Sequence, residues 1–260
     1  NTVPAAQTIN EDNALVFTAG NSISIADVDA GAGNITVTLQ VDRGNLALGS
    51  TGGLSVAGNN SGSVVVTGSQ VDINTALEGL TFTPALNDDN NATLTLVTSD
   101  GGNTGSGGVL STTSTVAIEV SLINDAPVAN NDSATTAEDT ATNLDVRSND
   151  TDADGDTLTV SQINGTPIST GTSVSVANGS VTLQADGSLT FTPTGDFNGP
   201  TSFDYTVTDG NGGNSTGTVN ASVTAVNDAP VLAVPGSQSI PEDGSVTFAA
   251  VNGNAISVSD

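Results

Sequence analysis

Two short acidic motifs recur along this chain and divide it into repeated units. The dipeptide Glu-Asp begins at Glu11, Glu138 and Glu242, each time ahead of an Asp that ends a strand-like run. The tetrapeptide Asn-Asp-Ala-Pro occurs at 124–127 and again at 227–230. Motifs that return in this order are typical of an array of similar domains, and they constrain the fold more than any single motif does.

The motifs predict two full repeats and the opening of a third, with bounds at 1–123, 124–226 and 227–260. The first two have the usual size of a single domain. The third is too short to bury a core alone, so we expect it to be ordered only through its neighbours. Val3–Asp12 is matched by Val234–Asp243, which makes the third repeat more similar to the first and predicts an alternating A-B-A array.

Runs that alternate Val, Ile, Leu and Thr with polar residues predict β-strands. About seven short strands in each full repeat favour an all-β fold of Greek-key β-sandwich domains. A short helix is predicted at Gln70–Glu78 with Ser69 as its N-cap, and Asp186-Gly187 predicts a hairpin. The strand candidates are Leu15–Thr18, Ser22–Ala26, Ile35–Val41, Val64–Thr67, Leu80–Thr83, Thr93–Thr98 and Val116–Ile123, then Asn143–Val146, Leu158–Gln162, Ser173–Val176, Ser180–Gln184, Ser188–Thr192, Ser202–Thr208 and Thr218–Val226.

Charge and missing residue types exclude several functions. The 260 residues include 2 basic and 28 acidic ones, a net charge of −26, so we expect neither nucleic acid nor membrane insertion. The absence of Cys, His and Lys removes thiolate metal sites, the commonest general base and lysine crosslinks. No apolar run reaches the ~18 residues that a membrane helix needs.

The densest acidic segment is Asp150–Asp156, which has Asp at alternate positions and a turn-forming Gly155. This spacing can place several oxygens around one hard cation, and Ca²⁺ accepts oxygen ligands in flexible geometry. The segment resembles the start of an EF-hand loop, but Ser161 stands where that loop requires Glu. Mg²⁺ is the second choice because it needs a tighter octahedron, and a solvated acidic turn is the alternative without a metal.

Taken in order, these motifs resemble the bacterial cadherin-like repeats of giant secreted adhesins, including those of RTX-type and biofilm-associated proteins. The resemblance covers essentially the whole chain and implies cadherin/immunoglobulin-like sandwiches in a linear array with Ca²⁺ between neighbours. That family binds Ca²⁺ through an early Glu, an Asp-x-Asp, an Asp turn before the last strand and an Asn-Asp linker. The Leu-Asp-Arg-Glu motif of cadherins is missing, which implies fewer ions at each joint. With Asp156 from the acidic segment, the matching residues are Glu11, Asp27, Asp29, Asp100, Asn124, Asp125, Glu138, Asp152, Asp154, Asp209, Asn227, Asp228, Glu242 and Asp260.

The resemblance also assigns these residues to joints. The first joint would combine Glu11, Asn124, Asp125, Asp152, Asp154 and Asp209. The second would combine Glu138, Asn227, Asp228 and Asp260. Asp27, Asp29 and Asp100 would face a further repeat ahead of the first.

Three functions follow from the sequence. The first is a calcium-rigidified extender of a bacterial adhesin or fibre, extracellular or on the cell surface, serving adhesion or biofilm cohesion. Its partners would be neighbouring repeats of the same or another chain, and cell-surface or matrix ligands. The second is a filament subunit, in which strands of the third repeat, Ser245–Ser259 among them, complete a neighbour's sheet. The third, a glycosidase with paired carboxylates, is disfavoured because aromatic residues are only 3% and His is absent, so we predict no enzymatic activity.

Overall fold

Each half of the chain folds by the same rule: apolar residues alternate with polar ones, so each strand has one buried face. The computed structural model describes residues 1–31, 33–102 and 108–259. It divides into two units, which we call unit 1 (Asn1–Asp125) and unit 2 (Ala126–Asp260). The body of each unit consists of two packed sheets, which confirms the predicted all-β fold of tandem β-sandwich domains.

The described residues of unit 1 form nine strands: β1 Gln7–Asn10, β2 Leu15–Val16, β3 Ile35–Val41, β4 Asn45–Ala47, β5 Ser55–Ala57, β6 Ser63–Gly68, β7 Thr81–Thr83, β8 Ala92–Ser99 and β9 Ser111–Ser121. One sheet has the strand order β1-β9-β8-β3-β6-β5, and the other has the order β2-β7-β4. β1 is parallel to β9, and the remaining neighbours are antiparallel.

The predicted helix is present as α1, Gln70–Leu77. The Ser69 hydroxyl caps it by accepting the N–H of Asp72 at 3.2 Å. This bond satisfies one of the free N–H groups that every helix has in its first turn. Ile73 and Leu77 pack into the core of unit 1, so one face of the helix forms part of that core.

The described body of unit 2 forms nine further strands: β10 Asp132–Ala137, β11 Thr142–Leu144, β12 Thr159–Ile163, β13 Thr166–Pro167, β14 Ser173–Val176, β15 Gly179–Leu183, β16 Leu189–Pro193, β17 Gly199–Thr208 and β18 Asn214–Thr224. The sheets have the orders β10-β18-β17-β12-β13 and β11-β16-β15-β14. β10 is parallel to β18. β15 and β16 form the hairpin predicted at Asp186-Gly187, where Gly187 has a φ of 84°.

Phe82 and Phe191 occupy corresponding places in the two cores. Each is the Phe of a Leu-Thr-Phe-Thr-Pro segment, and each is fully buried. A Cβ at Gly44 would lie 2.8 Å from the Phe82 ring, and one at Gly179 would lie 2.7 Å from the Phe191 ring. In unit 2 the ring also stacks on Phe203 of the facing sheet, with centroids 5.8 Å apart. Each core therefore contains a buried Phe in the same sequence context.

Residues 227–259, here called the tail, reproduce the opening of unit 1. β19 (Val231–Ala233) pairs antiparallel with β20 (Ser257–Ser259). Asn254 accepts the N–H of Ala249 at 3.0 Å and donates to Gln238 at 3.1 Å. In unit 1, Asn21 accepts the N–H of Thr18 at 2.8 Å and donates to Gln7 at 2.9 Å. The same polar contacts therefore shape the opening of unit 1 and the tail.

The tail differs from unit 1 in its apolar residues. Phe248 is 47% exposed, Ile256 53% and Val258 69%. Their unit 1 counterparts Phe17, Ile23 and Ile25 are buried. In unit 1 the strands β7 and β9 pair with this opening segment, and the described tail has only β19 and β20.

The short strands are where sequence prediction was least accurate. Ser22–Ala26 forms only a single bridge, from Ser24 to Thr2, and not a strand. In the predicted strand Asn143–Val146, β11 ends at Leu144 and Val146 begins a 3₁₀ turn, Val146–Asn149. Edge strands β1, β4, β5, β10 and β13 were missed because their residues are too few or too polar to alternate clearly. In the described residues no helix is long and apolar enough to cross a membrane.

Candidate calcium-binding site

Three predicted ligands meet in the loop between the 3₁₀ turn and β12. Asp152 Oδ1 accepts the N–H groups of Asp154 at 3.0 Å and Asp156 at 3.2 Å. Gly155 has a φ of 76°, which lets the chain turn back at that point. One oxygen of each carboxylate lies within 4.8 Å of the others. The alternate Asp residues of the sequence therefore become one cluster, which we call the acidic loop (Asp152, Asp154, Asp156).

The donors of the acidic loop fit a hard cation. All three are carboxylates, the ligand type that Ca²⁺ prefers. Asp152 Oδ2 is buried and accepts no hydrogen bond. A buried anionic oxygen normally has a partner, because burial without one carries a large desolvation penalty. A cation held by these three side chains would supply that partner and reduce their mutual repulsion.

Asp209, assigned from sequence to the same joint, is buried in its own turn between β17 and β18. Its Oδ1 accepts the N–H groups of Asn211 at 2.7 Å, Gly212 at 3.0 Å and Gly213 at 3.0 Å. The side-chain amide of Asn211 donates to Asp156 at 2.7 Å. Asp209 thus supports the acidic loop by shaping the turn that presents Asn211.

In unit 1 the corresponding residues are placed differently. Asp27 Oδ1 accepts the N–H of Asp29 at 3.2 Å, and Asp100 Oδ1 accepts those of Gly102 and Leu110, each at 2.9 Å. The two N–H groups hold the pKa of Asp100 below its usual value. In the described part of unit 1, no three carboxylates approach as closely as those of the acidic loop.

Glu11 and Glu138 are buried at the ends of the parallel strand pairs, 3% and 4% exposed. The Glu11 carboxylate accepts the N–H of Ile123 at 2.7 Å, and that of Glu138 accepts the N–H of Val226 at 2.5 Å. Both side chains therefore connect the first strand of a unit to the segment that follows its last strand. Sequence reasoning identified these residues but not this structural contact.

The Asn-Asp motifs also take the same conformation twice. The amide of Asn124 donates to the carbonyl of Asp125 at 3.1 Å, and that of Asn227 donates to the carbonyl of Asp228 at 3.2 Å. The first predicted joint draws on both units, so it stays a prediction. Glu242 is exposed in the tail, and Asp260 lies outside the described residues.

A second carboxylate trio in unit 2 was only partly predicted. Asp139, Asp196 and Asp228 are exposed, with one oxygen of each within 4.8 Å of the others. Asp139 also accepts the N–H of Asp196 at 3.3 Å. They stand beside an open groove of about 680 Å³ that Glu138, Asp196 and Asp228 help to line. Only Asp228 was identified from sequence.

A repeated sequence could have identified the other two. Asp139 is the second residue of the Glu-Asp dipeptide, and Asp196 follows the Phe-Thr-Pro segment. In unit 1 the same positions hold Asp12 and Asn87, and Asp12 accepts the N–H of Asn87 at 2.9 Å. The contact is therefore common to both units, but in unit 1 the uncharged Asn87 stands where unit 2 has the carboxylate of Asp196.

A buried polar cluster lies close to the acidic loop in sequence. The Tyr205 hydroxyl donates to the carbonyl of Asn130 at 2.6 Å and lies 3.0 Å from Asp150 Oδ1. Burial raises the pKa of Asp132, and the neighbouring charge of Asp150 raises it further. Burial likewise raises the pKa of Tyr205. Tyr205 therefore remains a neutral hydrogen-bond donor that fixes the start of β10 against β17.

Comparisons with known proteins are consistent with this geometry. Residues 124–222 match a family model described as "Bacterial Ig domain". No curated protein matches the chain.

Solved structures with similar folds include cadherin fragments. The mouse cadherin-23 EC22-24 structure is 17% identical, with a TM-score of 0.41, covering 87% of this chain and 64% of that one. The human CDH23 EC21-23 structure is 14% identical, with a TM-score of 0.45, covering 90% and 77%. At these scores neither structure adds to what the sheets themselves show. The chain is therefore similar, over residues 124–222, to bacterial Ig domains, and both of its units are β-sandwiches.

Proposed function

We propose that this chain is a structural extender segment of a secreted or surface-attached bacterial protein, stiffened by Ca²⁺. The acidic loop carries the proposal, because three carboxylates converge there and Asp152 Oδ2 is buried without a hydrogen-bond partner. The net charge of −26 adds to it, since a chain this acidic is destabilised by self-repulsion that cations reduce.

The residues of the acidic loop would act together on the cation. Asp152 shapes the turn through Oδ1 and leaves Oδ2 for the metal, while Asp154 and Asp156 supply further oxygens. Bound Ca²⁺ would contribute positive charge and fixed coordination. At the proposed first joint, Glu11, Asn124 and Asp125 of unit 1 would complete the ligand set.

The second proposed joint lies within unit 2, ahead of the tail. Glu138, Asn227, Asp228 and Asp260 were assigned to it, and Asp139 and Asp196, whose carboxylates lie close to that of Asp228, would be additional oxygen donors. We propose that the tail is the opening of a further repeat of the unit 1 type. The role is mechanical and non-catalytic, in bacterial adhesion or biofilm cohesion at the cell surface, and the similarity to bacterial Ig domains supports a surface location.

Calorimetric titration of the full chain with Ca²⁺ tests the proposal. Extracellular Ca²⁺ modules bind with Kd values of about 10⁻⁴ to 10⁻³ M, and we expect the same range here. The double variant Asp152→Asn/Asp154→Asn should bind at least tenfold more weakly, because it removes two anionic ligands at almost constant volume. Scattering in EDTA and in millimolar Ca²⁺ should show a more extended molecule with the metal.

The matched control is Asp186→Asn/Asp204→Asn, which removes the same charge from exposed positions of unit 2. Its affinity should equal that of the unmodified chain. If the control loses as much affinity as the acidic-loop variant, binding reflects only overall charge, and the proposed site is wrong. Unchanged scattering with bound Ca²⁺ would remove the stiffening role.

The tail favours a second candidate, a filament subunit assembled by strand complementation. Phe248, Ile256 and Val258 expose apolar surface, whereas the corresponding residues of unit 1 are buried. An added strand from another copy could cover that surface. Sedimentation velocity over a wide concentration range, with Val258→Asp as the comparison, tests this. Concentration-independent monomers of both proteins would rule the filament out.

A further inference from the structure

The first and last strands of each unit are parallel neighbours. β1 pairs with β9 from Gln7↔Ile118 to Asn10↔Ser121, and β10 pairs with β18 from Asp132↔Val219 to Ala137↔Thr224. Since both strands of a pair run the same way, the start of the first and the end of the last lie at opposite ends of the pair. Tension along the chain would therefore slide the two strands past each other. All the hydrogen bonds of the pair would carry the load together.

A buried glutamate extends each pair beyond its last strand residue. The N–H of Glu11 donates to Ser121 at 3.0 Å, and its carboxylate accepts the N–H of Ile123 at 2.7 Å. In unit 2 the N–H of Glu138 donates to Thr224 at 2.9 Å, and its carboxylate accepts the N–H of Val226. Hydrogen bonds to an ionised acceptor are stronger than neutral ones, and burial strengthens them further.

We propose that the buried glutamate of each unit, Glu11 or Glu138, reinforces the parallel pair of first and last strands against tension along the chain. We call each pair with its glutamate a terminal clamp: β1, Glu11 and β9 in unit 1, and β10, Glu138 and β18 in unit 2. The inference rests on the proposed extender function and gives it a physical basis. It also assigns Glu11 and Glu138 a role that needs no metal.

The two terminal clamps differ in length. The paired segment of unit 2 runs from Asp132 to Ala137, and that of unit 1 runs only from Gln7 to Asn10. Unit 2 has two further bonds across the pair, from Thr218 N–H to Asn131 at 2.9 Å and from the Thr224 hydroxyl to Thr136 at 3.3 Å. Unit 1 should therefore yield first under load.

Single-molecule stretching of the full chain between handle domains, in EDTA, tests the proposal without calcium. The segments between the clamped strands, 7–121 in unit 1 and 132–224 in unit 2, release different lengths when they unfold. These lengths are roughly 400 Å for unit 1 and 330 Å for unit 2 at about 3.5 Å per residue, so each event can be assigned. We expect the event with the longer released length, that of unit 1, to occur at the lower force. Glu11→Ala should speed unit 1 unfolding about tenfold at a fixed force, the effect of one lost hydrogen bond to a charged group, and leave unit 2 unchanged.

Glu11→Gln separates the clamp from a metal site. A glutamine keeps an oxygen that can accept the N–H of Ile123, but this oxygen is a neutral acceptor and lacks the anionic charge that Ca²⁺ needs. The unfolding force of unit 1 in EDTA should therefore lie between those of the unmodified chain and of Glu11→Ala. Glu119→Ala, an exposed residue of β9, is the matched control and should change nothing. The proposal would be overturned if Glu11→Ala left the unfolding rate of unit 1 at a fixed force unchanged, or if Glu119→Ala raised that rate.

Changing the direction of pulling keeps the test decisive if Glu11→Ala folds poorly. The chain has no cysteine, so Thr8→Cys/Glu119→Cys supplies two unique handles on residues that face each other across β1 and β9. Load applied there opens the pair bond by bond, and unit 1 should then unfold at a several-fold lower force. If unit 1 unfolds at the same force in both pulling directions, the terminal clamp does not resist tension and the proposal is wrong. Absence of any Ca²⁺ effect on stretching would contradict the proposed function alone.

Discussion

Units 1 and 2 share a scaffold but differ in the segment that carries charge. Both have a parallel terminal strand pair, a buried Glu and a buried Phe in the same sequence context. In unit 1 the N–H of Asp27 donates to Gln70 of helix α1 at 2.8 Å, so that segment is anchored on the helix. In unit 2 the acidic loop closes on Asp152 instead. The scaffold is thus set by the buried apolar residues and the buried Glu of each unit, whereas cation binding depends on a loop that differs between the units.

The largest expected effect comes from removing the shared aromatic residue. Phe191→Ala should destabilise unit 2 by about 3–5 kcal/mol, because it removes a fully buried ring and leaves a cavity. Tyr205 is the only Tyr and no Trp is present, so intrinsic fluorescence during urea unfolding reports on unit 2 alone.

Phe82→Ala provides the matched comparison in unit 1. It should leave the unfolding midpoint from Tyr205 fluorescence unchanged. Circular dichroism reports on the strands of both units, so it should show an additional loss of signal at lower urea, which belongs to unit 1. If either variant shifts both transitions equally, the two units do not unfold independently.

The second largest effect is expected from Ca²⁺, which should stabilise unit 2 more than unit 1. A ligand that binds only the folded state stabilises it by about 2.7 kcal/mol at 100 times its Kd. Because the acidic loop belongs to unit 2, the Tyr205 transition should move by about that amount between EDTA and excess Ca²⁺. The unit 1 transition should move less. A larger shift in unit 1 would reverse the comparison and favour Asp27, Asp29 and Asp100 as the main site.

Ser69→Ala should affect only unit 1, by about 1 kcal/mol, the usual cost of losing a helix N-cap. The variant removes the oxygen that accepts the N–H of Asp72. The urea midpoint from circular dichroism should fall while the Tyr205 midpoint stays constant. If the urea midpoint from circular dichroism does not change, α1 is held in place by the packing of Ile73 and Leu77 alone.

The smallest effect is expected from Asp132→Asn in unit 2. Burial raises the folded-state pKa of Asp132 above its ordinary value of 3.8, so the protonated form is favoured in the folded protein. Its contribution is therefore most favourable below pH 3.8 and is lost as pH rises through the raised pKa. The variant should slightly stabilise unit 2 at neutral pH and have less effect in acid, measured by Tyr205 fluorescence. Equal effects at both pH values would show that the Asp132 charge is not the cause.

Long alternating strands could be predicted from the sequence, and short polar ones could not. Ile35–Val41 and Ser173–Val176 were predicted with their observed bounds, because apolar and polar residues alternate along both segments without interruption. β1 was missed because Gln7–Asn10 contains one apolar residue, and its pairing with β9 is a long-range contact. Local pattern contains no information on such a partner.

The candidate site shows the same limit. The alternate Asp residues of the acidic loop follow directly from their spacing in sequence. Asp139 and Asp196 approach each other only because β10 and the segment after β16 meet in the fold. The hydrogen bonds of Glu11 to Ile123 and of Glu138 to Val226 likewise depend on the parallel pairing.

The parallel first and last strands also bear on how such a protein can change in length over generations. Because the chain crosses each unit from one end of the strand pair to the other, duplication or loss of a whole unit alters the span and preserves the direction of travel. Antiparallel terminal strands would return the chain to the side on which it began. Each such unit therefore adds its own length between the residues that precede it and those that follow it, so a change in the number of units would change the distance that the chain can span.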